Sequence, residues 1–237
     1  LVQEEVMSKI GKYAPSVRGR VRAMNGEFSG GTAASMKATM SSLKTNPELI
    51  NVLINPHGLC EGINGVQQED DTKPKYDEEL DVWVAPFFMA PINTKNIHRS
   101  NKLMNHIYGK DFLYNEMWIT GSGEQGKAAA EMLAGNNPIA GDDVPAPGEG
   151  PSREKRENGN YDILFCADVD GKVFKASVSG DMDPGYGSTS KMITESAVCL
   201  VKDAKELEGG IYTPAAALGN KLISRLEANA GLTFIIE

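Results

Sequence analysis

The 237-residue chain sets 24 Lys and Arg against 32 Asp and Glu, a formal net charge of −8, with 41% hydrophobic residues. That acidity argues against nucleic acid as a partner, because phosphate backbones are bound by clustered basic surface. No apolar run approaches the roughly 20 residues that a membrane-spanning helix needs. Cys60, Cys166 and Cys199 stand far apart with no CxxC pair, so they read as free thiols of a reducing, cytoplasmic setting rather than a disulfide frame or a zinc site.

Val2, Val6, Ile10 and Tyr13 recur at helical spacing and predict a helix that Pro15 ends. The chain opens on Leu1 rather than Met, and residues 1–14 read as the tail of a helix belonging to a preceding domain. Val17 to Phe28 alternates Val17, Val21 and Ala23 against Arg18, Arg20 and Arg22, the pattern of a half-buried strand with a solvated basic face. Ser29-Gly30-Gly31-Thr32 then turns into a helix carrying Ala33, Met36, Met40 and Leu43. A strand, a glycine turn and a helix N-terminus make a plausible anion seat, although the lysine and longer loop of a P-loop are missing. A second helix follows from Asn46-Pro47 to Leu53, and His57 falls in a breaker-rich turn, where a surface or turn histidine rather than a metal ligand is expected.

Residues 62–81 are polar and acidic and read as a solvated, mobile loop. Val82 to Met89 is apolar and aromatic, suited to a core or a pocket wall. Asn93 or Thr94 would cap the next helix, with Arg99 and Ser100 along it and His98 and His106 too far apart to form a metal pair. Asp111 to Thr120 is strand-like and runs into Gly121-Ser-Gly-Glu-Gln-Gly126, formally the dinucleotide fingerprint. No strand follows it closely to complete the unit, so a cofactor role is not expected there. Residues 136–158 read as a mobile loop or lid. Tyr161 to Val169 and Lys172 to Ser179 are two strands joined at Asp170-Gly171, a hairpin signal.

Asp181-Met-Asp-Pro-Gly-Tyr-Gly187 is a Gly/Pro turn leading into a helix whose spacing of Ile193, Ala197, Leu200 and Ala204, with Tyr186 ahead of them, predicts one buried face. Asp183, Ser188 and Thr189 can all cap it. The turn serves either as a tight cap and a core helix or as backbone open to an anionic ligand. Thr213-Pro214 starts a last helix, and Leu232 to Ile236 is a terminal strand. The expected fold is a single α+β domain over residues 1–237, a mostly antiparallel mixed sheet covered by helices. Residues 209–237 are free to pack toward a further domain.

Several phrases together resemble a known family: Arg18-Gly-Arg-Val-Arg22 with Phe28-Ser-Gly-Gly-Thr32, Arg99-Ser100, Tyr108-Gly-Lys-Asp-Phe112, Pro147-Gly-Glu-Gly-Pro-Ser152, Asp183-Pro-Gly-Tyr-Gly187 and Gly209-Gly-Ile-Tyr-Thr-Pro214. In that order they are similar to saccharopine dehydrogenase-like oxidoreductases, in particular the trans-acting enoyl reductase branch, over nearly the whole chain. The resemblance implies the substrate, or C-terminal, domain of such a protein, lacking the N-terminal Rossmann domain. The full-length protein would use NAD(P), held mainly by that absent domain, to reduce or oxidise a C=O, C=N or C=C bond in a small-molecule substrate, with no metal. The fragment alone would then be inactive. Within it, chemistry points to Gly30, Gly31, Thr32, Arg99, Ser100, Asp183 and Gly185 as the substrate rim and to Tyr186 as a hydrogen-bond or proton donor. The alternative is a non-catalytic dimerisation or metabolite/lipid-binding domain, and a sheet with one free face would suit a homodimer.

Overall fold

The computed structural model describes residues 1–27, 30–62, 65–135 and 145–237. Its spine is β1 (Ser16–Asn25), built from the alternating stretch of valines and arginines. β4 (Leu113–Gly121) pairs parallel to it on one side and β5 (Asn160–Val169) antiparallel on the other. β6 (Lys172–Gly180) and β7 (Leu232–Ile236) extend the sheet beyond β5, while β3 (Val82–Pro86) and β2 (Lys75–Asp77) extend it beyond β4. The sheet is seven-stranded and mixed, antiparallel in all but one pairing. The β5–β6 hairpin turns at Asp170 and Gly171, both with positive φ (51° and 72°), as a two-residue turn matching the strand twist requires.

One face of the sheet is apolar. α1 (Val2–Ile10) lays Val2 and Val6 on Val17, Tyr114, Ala167 and Ala176, joined by Ile97 of α4 (Ala90–Leu103). α7 (Gly187–Lys202) and α8 (Pro214–Asn229) cover its far end, where Cys199, Leu218, Leu222 and Leu226 close over Leu232, Val178 and Phe234. The C-terminal helix and strand are therefore part of this layer. α4 starts earlier than Asn93, with Pro91 in its first turn, and Asn93 instead bonds Glu116 of β4 at 2.9 Å.

The opposite face is ionic, and here the sequence reading needs correction. The arginine row of β1 is not a solvated face: Arg20 is 1% exposed. Asp77, from the acidic segment read as a loop, reaches Arg18 Nη1 at 2.8 Å and Arg20 Nε at 2.7 Å. Glu79 approaches Lys175 of β6 at 3.7 Å. Since β4 separates β3 from β1, these contacts mean that the β2–β3 hairpin curls back over the central strands. Burying Arg20 is tolerable because every charge there has a bonded partner.

α5 (Gly123–Gly135) packs against β3 and β4. α6 (Arg153–Glu157) is a single turn capped by Ser152. α2 (Gly30–Thr45) and α3 (Leu49–Ile54) stand apart: α2 buries Gly30 and Ala33, and α3 buries no residue. The end of the predicted strand at Phe28 and the capping Ser29 lie outside the described residues, as do residues 136–144 of the predicted loop. No described helix is long and apolar enough to cross a membrane.

Candidate functional site

The turn after β6 is organised by one carboxylate. Asp183 is wholly buried, its Oδ2 accepting the Tyr186 N–H and its Oδ1 the Gly187 N–H, each at 2.8 Å. Its carbonyl accepts the Ser188 N–H at 2.9 Å, and its own N–H donates to the Arg156 carbonyl at 3.0 Å. The donors that open α7 are thus satisfied internally, and the anion seat expected at this helix start is filled by the protein's own Asp183. The turn is wedged between strand ends. A side chain on Gly26 would come within 2.6 Å of Pro184, and one on Gly159 within 2.5 Å of the Asp183 backbone.

This clamp fixes Tyr186 at the start of α7, 39% exposed. Its ring lies over Gly150, where a Cβ would approach to 2.8 Å, so the Pro147 to Pro151 phrase supplies a floor on which the aromatic ring fits. Together they enclose a cleft of about 1120 Å³, lined also by Arg153, Arg156, Glu157, Ser190 and Lys191. Glu149 ties its rim to α2, taking the Gly30 N–H at 3.0 Å on its carbonyl. The fold therefore gathers Gly30, Gly31, Thr32, Asp183, Gly185 and Tyr186 at one end of the molecule. Gly30 and Asp183 are buried there, while Gly31, Thr32 and Gly185 are exposed.

Arg99 and Ser100 are elsewhere. Arg99 donates to the Leu59 carbonyl at 3.3 Å, and Ser100 is buried with its hydroxyl against Thr213 Oγ1 at 2.7 Å. Thr213 precedes α8, at the end of the α7–α8 hairpin opposite Tyr186. The sixteen residues of α7 place that end about 24 Å away at ~1.5 Å per residue. The cations that do line the cleft, Arg153, Arg156 and Lys191, are not singled out by the sequence. Arg156 and Lys191 lie 35 residues apart in sequence, on helical turns that carry no motif of their own.

A second polar cluster lies under α4. His57 is buried, not on the surface, with its ring 4.1 Å from that of His98. Burial, then the neighbouring His57, pushes the His98 pKa down to about 4. Glu116 rises to about 6, mainly through burial; the Asn93 hydrogen bond opposes the rise and the charge of Asp71 adds to it. Among the described residues no group of three or more His, Cys, Asp or Glu could hold a metal.

The glycine run at the end of β4 does form a strand–turn–helix, with Gly126 seated against the Gly121 carbonyl and Thr120 Oγ1 donating to the Gly126 carbonyl at 2.8 Å. The next strand, β5, is antiparallel to β1, so no βαβ unit forms. These residues do not fit a dinucleotide site, which needs that second parallel strand and its ribose-binding acid.

Comparison with known proteins bears on what this cleft is for. The chain is similar to trans-acting enoyl reductases. It is 34% identical over 236 residues to a Mycobacterium tuberculosis protein provisionally named as one, a match covering 88% of this chain and 56% of that protein. It is 29% identical over 227 residues to a trans-acting enoyl reductase of Mycobacterium bovis, covering 84% of this chain and 54% of the relative. A Mycobacterium ulcerans relative of the same name is 29% identical over 230 residues. The chain spans about half the length of the curated relatives it matches. No protein-family model matches it, and no solved structure does.

Proposed function

We propose that this chain is the substrate-binding part of an NAD(P)-dependent oxidoreductase that reduces the C=C bond of an enoyl substrate. The relatives' names support the reaction class. The observation that carries the assignment to this region is the cleft, in which a buried carboxylate fixes a partly exposed tyrosine beside Arg156 and Lys191. The nicotinamide would supply hydride from a domain outside this chain. Adding hydride to the β-carbon of an enoyl group leaves an enolate, which needs a hydrogen-bond donor at its oxygen and a proton at the α-carbon. That role falls to Tyr186 on this reading. Among the described residues its hydroxyl meets no hydrogen-bond partner, so it is free to turn to a ligand.

The test is NAD(P)H-dependent reduction of an α,β-unsaturated thioester by the full-length protein. Tyr186→Phe keeps the ring over Gly150 and removes only the hydroxyl. Loss of a positioned acid costs about 10²–10⁴-fold in rate, so kcat is expected to fall on that scale with KM little changed. A variant as fast as the native protein would remove Tyr186 from the chemistry.

A further inference from the structure

We propose that the cleft holds an anionic oxygen group of its ligand, a phosphate or a carboxylate, between Arg156 and Lys191 beside Tyr186. The inference rests on the cleft being the substrate site and adds to it the chemistry that anchors the ligand.

The argument is one of charge left over. Among the described residues, five ionisable side chains other than tyrosine line the cleft: Glu149, Arg153, Arg156, Glu157 and Lys191. Arg153 and Glu157 pair with each other at 2.7 Å one helical turn apart, an exposed contact that turns both away from other partners. Glu149 also keeps its charge, its Oε2 accepting the neutral Ala146 N–H at 3.1 Å on the loop before α6, so the lining carries three cations against two carboxylates. Arg156 is half-buried, its Nη1 bonds the neutral Pro151 carbonyl at 2.8 Å, and among the described residues no carboxylate pairs with its guanidinium. Among the described residues Lys191 meets only Asp181, at 3.8 Å and well exposed, a contact that water largely screens. Asp183, the buried acid behind the wall, has both oxygens on the Tyr186 and Gly187 N–H groups.

Arg156 is also fixed in place, because its carbonyl holds the Asp183 N–H and its side chain closes the 151–156 turn. A rigid planar fork and a mobile ammonium lining one cleft suit phosphate and carboxylate oxygens. A ligand anchored there would lie with its uncharged part across Tyr186 and Met182, the apolar side of the lining.

The probes are inorganic phosphate, pyrophosphate and succinate, each titrated against the ¹⁵N-labelled protein at constant ionic strength. Backbone amide shifts follow the binding. Saturable shifts at Gly187, Ser190 and Arg156 are expected with at least one probe, and which probe binds decides between the phosphate and the carboxylate. Arg156→Gln and Lys191→Gln should each weaken that binding at least about 10-fold, the loss of one charge-assisted hydrogen bond. Folding of the variants is checked in the same spectra. If no probe saturates, or if both glutamine variants bind as the native protein does, there is no anion subsite. Binding without any enoyl reduction by the full-length protein would keep the subsite and overturn the proposed reaction; reduction without binding would do the reverse.

Discussion

At the scale of single residues, equal burial produces opposite electrostatics. Burial raises the cost of ionising Asp77, but the hydrogen bonds and charges of Arg20 and Arg18 outweigh it and hold the pKa below the ordinary value. Glu116 is as deeply buried, at 3% exposed, yet among the described residues its carboxylate is bonded only by the neutral amide of Asn93. Its pKa therefore rises from 4.5 to about 6. A carboxyl with a raised folded-state pKa stabilises the protein fully below its unfolded value and loses that contribution as pH rises through the folded one. Between pH 4.5 and 6 the native state sheds stability, about 2 kcal/mol for a shift of this size. Glu116→Gln keeps an acceptor for Asn93 and removes the charge. It should be more stable than the native protein by about that amount at pH 7.5 and no more stable below pH 4. Urea melts at the two pH values check this; a gap of the same size at both would mean that burial of charge is not the cause.

At the scale of elements, α7 shows how far sequence reading goes. Its existence, its Asp183 cap and its place after the hairpin are all legible, because a Gly/Pro turn and a periodic helix are local signals. Its buried face is not. The spacing of Ile193, Ala197, Leu200 and Ala204 predicts an inward stripe, yet Ile193 is 68% exposed and Leu200 is 45% exposed. The inward line runs instead through Ser188, Met192 and Cys199, with Glu195 paired to Arg225 of α8 at 2.8 Å. A hydroxyl bonded to Tyr161 and an ion pair between helices look polar in sequence, and only the partner strand and helix make them interior. The arginines of β1 were misread for the same reason, since Asp77 reaches them from 57 residues away. The candidate site was half legible. Tyr186 and the glycine turns carry local signatures, whereas Arg156 and Lys191 depend on two segments meeting. The reassigned face has a direct consequence. Leu222→Ala, which opens a hole between α8 and the sheet, should cost about 2–5 kcal/mol. Ile193→Ser should change stability by less than about 0.5 kcal/mol. Denaturant melts of the pair decide it, and a costly Ile193→Ser would restore the stripe as core.

At the scale of the whole molecule, the distribution of burial is uneven. The layer formed by α1, α4, α7 and α8 over β1, β4, β5 and β6 contains the three clusters of buried apolar side chains. The arm formed by α2 and α3 contributes one buried side chain larger than glycine, Ala33, while Met40, Leu49, Ile50, Val52, Leu53 and Ile54 are all at least 37% exposed. Helices of this length draw most of their stability from packing rather than from propensity. The arm is nonetheless tied at both ends. Gly30 bonds Glu149 at the cleft, and His57 stacks on His98 beside α4. Local opening of such a segment breaks few apolar contacts and leaves the sheet intact, so its free energy should lie far below that of global unfolding. Native-state hydrogen exchange should then separate two populations. Amides of Ala34 to Thr45 and Asn51 to Ile54 should exchange quickly by local opening, with little dependence on denaturant. Amides of β1, β5 and β6, where strands are paired on both sides, should exchange only through global unfolding. The first turn of α7 belongs with the slow group, because its N–H groups are held by the buried Asp183. Protection of the arm equal to that of β5 would show that it packs against something its own fold does not supply.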